Sequence, residues 1–215
     1  MMQGYIDLFP IPIAKYHRED HEDLRIHFLN ILEQYPKDQA YCDSPGLVHF
    51  FQNGDLDLRR YQQFHDLHEW ILNSVKDYAE RFFGIISTEF LDLNVWINAN
   101  VGGFQHPHNH GNSLFSATYY IQLDPSIHSG LEFHNPRSPS SLFKPYIDFT
   151  GDRETEYTKH KHGLAVTQGD LLIWPSELMH SYDQQQVNVP RISMSMNFLP
   201  ETVKSHVYGF KISKL

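Results

Sequence analysis

Polar and apolar positions change their period once along this chain. Before Gly84 the apolar residues recur every three or four positions, as on one face of a helix. Leu24, Phe28, Ile31, Leu32 and Tyr35 form a first stripe, opened at Asp20 and ended by Pro36. Phe64, Leu67, Ile71, Val75, Tyr78, Ala79 and Phe82 form a second and stronger one, with Gly84 as its stop. Ahead of both, the prolines of "LFPIPI" (8–13) forbid helix, and "DSPG" at Asp43–Gly46 reads as a turn. Beyond Gly84 the period becomes two. "FLDLNVWINAN" puts Leu91, Leu93, Val95 and Ile97 on one face, and "LFSATYYIQL" does the same with Phe115, Ala117, Tyr119, Ile121 and Leu123. "GLEF", "GLAVTQGDLLIW" (two strands about a Gln-Gly-Asp turn) and "RISMSMNFL" add short strands, and "HVYGFKI" is expected to close the sheet.

Two helices followed by many short strands predict a mainly β protein with flanking α-helices, the helices packed outside a β-sandwich or open barrel. We expect one domain over 1–215, in which 1–85 is mainly helical support and 86–215 the β core. Residues 138–162, polar and without a period, are expected to form a surface insertion or lid. The faces opposite the apolar ones are informative. Ser116, Thr118 and Tyr120 alternate on one strand, and Arg191, Ser193, Ser195 and Asn197 on another. If these look into a barrel, their polar groups need water, a ligand or a metal, so they outline a pocket. The plainer reading is that they face solvent on an open sheet.

Composition narrows the class. Apolar residues make up 40% and charged residues 20% of 215, ordinary for a globular domain. A net charge of −9 with His neutral repels phosphate backbones, so nucleic acid is not an expected partner. One cysteine, Cys42, excludes an internal disulfide and a CxxC metal site and fits a reducing, cytoplasmic location. The N-terminal residues do not read as a signal peptide, and no apolar run is long enough to cross a bilayer.

The candidate chemistry lies in histidines. His17, His21, His27, His65 and His68 fall on what read as polar helix faces, and His160 and His162 in the insertion; solvation accounts for them. "QHPHNHGNS" (105–113) is different. His108 and His110 share a face if the segment is extended, His180 follows a buried run and Pro175, and Arg191 opens the next polar-faced strand. A close pair and a distant third suit a facial metal site with open positions opposite.

The ordered set "HNH", "ATYYIQL", "GLEFHNPR", "GDLLIWPSELMH" and "RISMSMNF" resembles the 2-oxoglutarate- and Fe(II)-dependent oxygenases. "LFPIP" and "HNHGNS" further resemble short phage and bacterial members of that superfamily. The resemblance covers nearly the whole chain. It implies a double-stranded β-helix (a jelly-roll, cupin-like core), with His108 and His180 as iron ligands and Arg191 pairing with the distal carboxylate of 2-oxoglutarate. Tyr120 would also reach that carboxylate, Ser193 would support Arg191, and Trp96, Asn98, His106 and Asn197 would line the pocket. The implied reaction is an O2-dependent dioxygenation that releases succinate and CO2 and hydroxylates a C–H bond of a small molecule or peptide. One position departs from the pattern: His110 stands where the superfamily usually has Asp or Glu. Three arrangements follow: a three-histidine site, a site in which His110 is off the metal and leaves room for water or halide, and a site built on His106 and His108. Glu132 is a remoter carboxylate. Rival functions are a cupin-like three-histidine metalloprotein that needs no 2-oxoglutarate and a non-catalytic barrel. The primary substrate is not readable, and a homo-oligomer is left open.

Overall fold

The structure is a computed structural model that describes residues 7, 9–36, 40–51, 56–86, 88–136, 155, 156, 159–183, 189–204 and 206–213. Most of the insertion expected over 138–162 lies outside the described residues. In chain order the elements are β1 (Ala14–His17), α1 (His21–Gln34), β2 (Tyr41–Ser44), β3 (Leu47–Phe50), α2 (His65–Phe83), β4 (Phe90–Asn100), β5 (Gln105–His108) and β6 (Phe115–Gln122). They continue as β7 (Glu132–His134), β8 (Lys161–Gly163), β9 (Asp170–Pro175), β10 (His180–Tyr182), β11 (Arg191–Pro200), β12 (Thr202–Lys204) and β13 (Gly209–Lys211).

Seven strands form a large sheet in the order β1-β9-β6-β11-β4-β3-β2, and four form a small one in the order β5-β10-β7-β8. Neighbours pair antiparallel throughout. Residues of both sheets line one cavity between them. The architecture is a double-stranded β-helix with helices on the outer face of the large sheet.

The helices sit outside because their stripes match the outer face of the strands. Leu67, Ile71, Val75, Tyr78 and Ala79 of α2 pack in one core with Leu24 and Phe28 of α1, Val95 and Ile97 of β4, Tyr119 and Ile121 of β6, and Met194 and Phe198 of β11. Each fully buried Leu, Ile, Val or Phe contributes about 1.5–3 kcal/mol. Gly84 ends α2 in the left-handed region (φ 66°), where its N–H reaches Glu80 O and that of Ile85 reaches Ala79 O.

Several expectations are corrected. Leu91 and Leu93 do not share the buried face of Val95 and Ile97. A bulge in the β4–β11 pairing, between Asn197 and Phe198, shifts the phase, and Phe90 and Asp92 are the residues buried on the helix side instead. Among the described residues, 206–212 do not close the large sheet, and β13 pairs with β12 alone. The strand read in "GLAV" lies earlier, at β8. The N-terminal region adds β1 to one edge of the large sheet and β2–β3 to the other. His17 is on a strand. His21 is 6% exposed and bonds Tyr119 Oη (2.7 Å) and Ile121 O (2.8 Å), so it joins α1 to β6. His68 lies 3.4 Å from the buried Asp92 carboxylate.

Candidate metal centre

Two backbone devices bring the histidines together. β10 pairs with β5 so that His180 is directly opposite His108. Residues 72 positions apart in the chain become a cross-strand pair with adjacent side chains. His110 lies just past the end of β5. Its N–H donates to Ser176 O (2.9 Å), while Ser176 N–H donates to Leu114 O (3.0 Å). The loop carrying His110 is thereby tied to the turn that leads into His180. Upstream, Asn100 Oδ1 accepts from Gly103 N–H (2.6 Å) and sets the bend that starts β5. A Cβ at Gly103 would lie 2.7 Å from Leu47 N, so only glycine fits this approach.

One ligand nitrogen from each of His108, His110 and His180 lies within 4.8 Å of the others. Ring centroids are 4.3 Å apart for His108–His180, 5.1 Å for His108–His110 and 5.2 Å for His110–His180. His108 Nδ1 is 2.8 Å from His106 O, and His180 Nδ1 is 3.0 Å from Leu178 O. A carbonyl can only accept, so Nδ1 carries the proton in both rings and Nε2 keeps its lone pair. Burial, reinforced by His108, pushes His110 down to about 4 and His180 down to about 3. Both rings are therefore neutral near pH 7, the form a metal binds.

Arg191 is buried on the opposite wall. Its guanidinium lies over the rings of Tyr182 (4.7 Å) and Tyr120 (5.2 Å), and Nε donates to Ser129 O (3.2 Å). Its Nη2 is buried without a hydrogen-bond partner. Burying a guanidinium with an unused donor costs free energy, and a carboxylate in the cavity would recover it. Trp174, on β9 beside His180 (4.9 Å between rings), likewise has a buried Nε1–H without a partner.

The cavity brings together most of the residues singled out from the sequence. Trp96, Asn98, His108, His110, Ser116, Thr118, His180, Arg191, Ser193 and Ser195 all line it. Asn98 is held by His49 Nδ1 (2.5 Å) and donates to Ser195 Oγ (2.9 Å). Tyr120 stands behind Arg191, and its hydroxyl accepts from Leu131 N–H (3.1 Å). Asn197 also lies one layer back, where its Oδ1 accepts from Ser116 Oγ (2.8 Å). His106 does not line this cavity. It is exposed, packs on Phe104 and borders a separate outer cleft. Glu132 is engaged by Lys161 (2.8 Å). Gln105, Trp174 and Tyr182 also line the cavity and were not singled out from the sequence. Tyr182 follows His180 by two on a strand and could have been found by that spacing. Trp174 read as one member of an apolar run.

Comparison with known proteins agrees with this picture. Residues 94–197 match the family model described as "Putative 2OG-Fe(II) oxygenase". HygX from Streptomyces hygroscopicus, solved with nickel, 2-oxoglutarate and hygromycin B, superposes with a TM-score of 0.61 at 12% identity, covering 88% of this chain and 83% of HygX. SnoN, a non-heme α-ketoglutarate-dependent epimerase from nogalamycin biosynthesis, gives 0.58 at 12% identity, covering 89% and 77%. A Pseudomonas putida prolyl-4-hydroxylase gives 0.54 at 12% identity, covering 87% and 92%. No curated protein sequence matches the chain. Over residues 94–197, just under half of the chain, the sequence is similar to the 2-oxoglutarate- and Fe(II)-dependent oxygenases, and the fold is shared with these enzymes.

Proposed function

We propose that this protein is an Fe(II)- and 2-oxoglutarate-dependent dioxygenase that hydroxylates a C–H bond of a small molecule or peptide. The observation that carries the reading is the pairing of two features across one cavity: three imidazoles whose ligand nitrogens lie close together, and a buried Arg191 with an unused donor. His108, His110 and His180 would hold the iron through the nitrogens left free, at least two of them Nε2. Arg191 would take the distal carboxylate of 2-oxoglutarate, its planar fork suiting a carboxylate through two parallel bonds. When bound, the iron and co-substrate supply O2-dependent oxidation coupled to decarboxylation, releasing succinate and CO2.

The chain's own residues bind and orient. Tyr120 and Tyr182 fix the plane of the Arg191 guanidinium, and Leu131 N–H anchors Tyr120 in turn. Ser193 lies two residues along from Arg191 on the cavity face. Asn98 and Ser195 present amide and hydroxyl groups to a substrate on the wall beside Trp96. A three-histidine metalloprotein without 2-oxoglutarate would use the same imidazoles but leaves Arg191 Nη2 unexplained. Among the described residues no helix is long and apolar enough to cross a membrane. We place the protein in the cytoplasm on the strength of its single, unpaired cysteine.

Anaerobic reconstitution with Fe(II), followed by absorption spectroscopy with and without 2-oxoglutarate, tests the reading. A visible charge-transfer band on adding 2-oxoglutarate is expected. Normal iron uptake without that band would leave the three-histidine metalloprotein, and no iron uptake would leave a non-catalytic barrel. Arg191→Ala should weaken 2-oxoglutarate binding by at least about tenfold, as loss of a charged hydrogen bond implies, with iron uptake nearly intact.

A further inference from the structure

The charges lining the cavity do not balance. Arg191 is the only formally charged side chain on its wall among the described residues; the rest is imidazole, hydroxyl, amide, indole and apolar surface, with no carboxylate. Two carboxylates on strands that border the cavity are already engaged outside it. Asp170 is held by His17 (2.8 Å) and Lys15 (3.8 Å), and Glu132 by Lys161 (2.8 Å). A metal on three imidazoles keeps both of its positive charges, because each ring binds through a neutral lone pair. With Arg191 the filled cavity holds three positive charges, and the two carboxylates of 2-oxoglutarate cancel only two. Here one charge is left inside a poorly solvated cavity, where the cost of an unpaired ion is high. The orphaned atoms have the same sense. Arg191 Nη2 and Trp174 Nε1 are both donors, and only the first is accounted for by 2-oxoglutarate.

We propose that the cavity takes a monoanionic group in addition to 2-oxoglutarate, carried by the primary substrate as a carboxylate or phosphodiester or supplied as a small inorganic anion. This rests on the function proposed above and deepens it by naming a charge class. The indole N–H of Trp174 is a donor available to that group. The imidazole at position 110 is then a specificity determinant, since it sets the sign of the charge the second ligand must bring.

The experiment uses the full chain loaded with Co(II) and 2-oxoglutarate under anaerobic conditions. Chloride, azide, acetate and dimethyl phosphate are titrated separately, followed by the Co(II) visible spectrum and by calorimetry. Saturable binding of at least one anion is expected. It should weaken about tenfold or more in His110→Asp, which supplies the missing charge on the metal. Asn98→Asp supplies it on the wall without touching a proposed ligand and should weaken binding similarly, so the test survives misfolding of the first variant. Response to chloride and azide alone assigns the anion to a small inorganic ligand; response to acetate or dimethyl phosphate assigns it to a substrate group. Wild type that takes up Co(II) and 2-oxoglutarate but no anion overturns the inference, as does equal anion affinity in wild type and both variants. Failure to take up 2-oxoglutarate at all overturns the proposed function, and this inference with it.

Discussion

Ile192, Met194, Met196 and Phe198 on one side of β11, and Arg191, Ser193 and Asn197 on the other, are all buried. The first set is packed into apolar core against both helices. The second faces a cavity or the polar layer behind it, and one of its members has a donor with nothing to bond. The same strand therefore serves two purposes that depletion of solvent alone does not distinguish. On the outer side burial is stabilising in itself. On the inner side burial is costly and becomes worthwhile only when a ligand arrives. A burial profile would rank the two faces together, whereas satisfaction of polar atoms separates them.

Substitutions on the two faces should separate stability from binding. The largest loss of stability is expected for Phe198→Ala, about 3–5 kcal/mol by denaturant unfolding, with metal binding per folded molecule unchanged. His180→Ala should do the reverse. Metal affinity should fall at least about 100-fold in a calorimetric titration, beyond what loss of an outer partner of a ligand costs, while the metal-free protein stays folded. Tyr120→Phe sits between these cases. It strands the buried Leu131 N–H and should cost about 1–3 kcal/mol, together with a modest loss of 2-oxoglutarate affinity as the support of Arg191 loosens. The smallest effect is a pH dependence on the helix side. Burial lowers His21, partly offset by its bond to Ile121 O and by Glu22, so the unfolded chain takes up the proton first. The stability tied to neutral His21 is full above about pH 6.5 and is lost as pH falls through the folded value. The urea midpoint of the metal-free protein should therefore drop on acidification, and less steeply in His21→Gln. Equal slopes would show that His21 is not a main contributor.

What the sequence made legible follows the same division. Strict alternation in "LFSATYYIQL" and "RISMSMNFL" identified the polar inner face, because period two is a direct consequence of strand geometry. The order of His108, His110, His180 and Arg191 identified residues that the fold brings to one cavity. Leu91 and Leu93 misled, since the alternation itself does not show where the pairing skips a residue, as it does at Leu93. His21 misled because a helix face polar in sequence still packs where a neighbouring strand offers a hydroxyl and a carbonyl. Trp174 was hidden within an apolar run, where an indole reads as bulk rather than as a donor. β1, β2 and β3 were missed; each has four residues and lies in the part of the chain that reads as helical.

The two latches on the rings of His108 and His180 have a further consequence. Each ring is oriented by the main-chain oxygen two residues before it, not by any side chain. Every amino acid carries that oxygen. Descendants of this chain are therefore free to change the side chain at the exposed position 106 without retuning the rings, and the site can drift in sequence around a constant core. In this chain, inheritance of the metal centre asks for few fixed letters and one fixed backbone path.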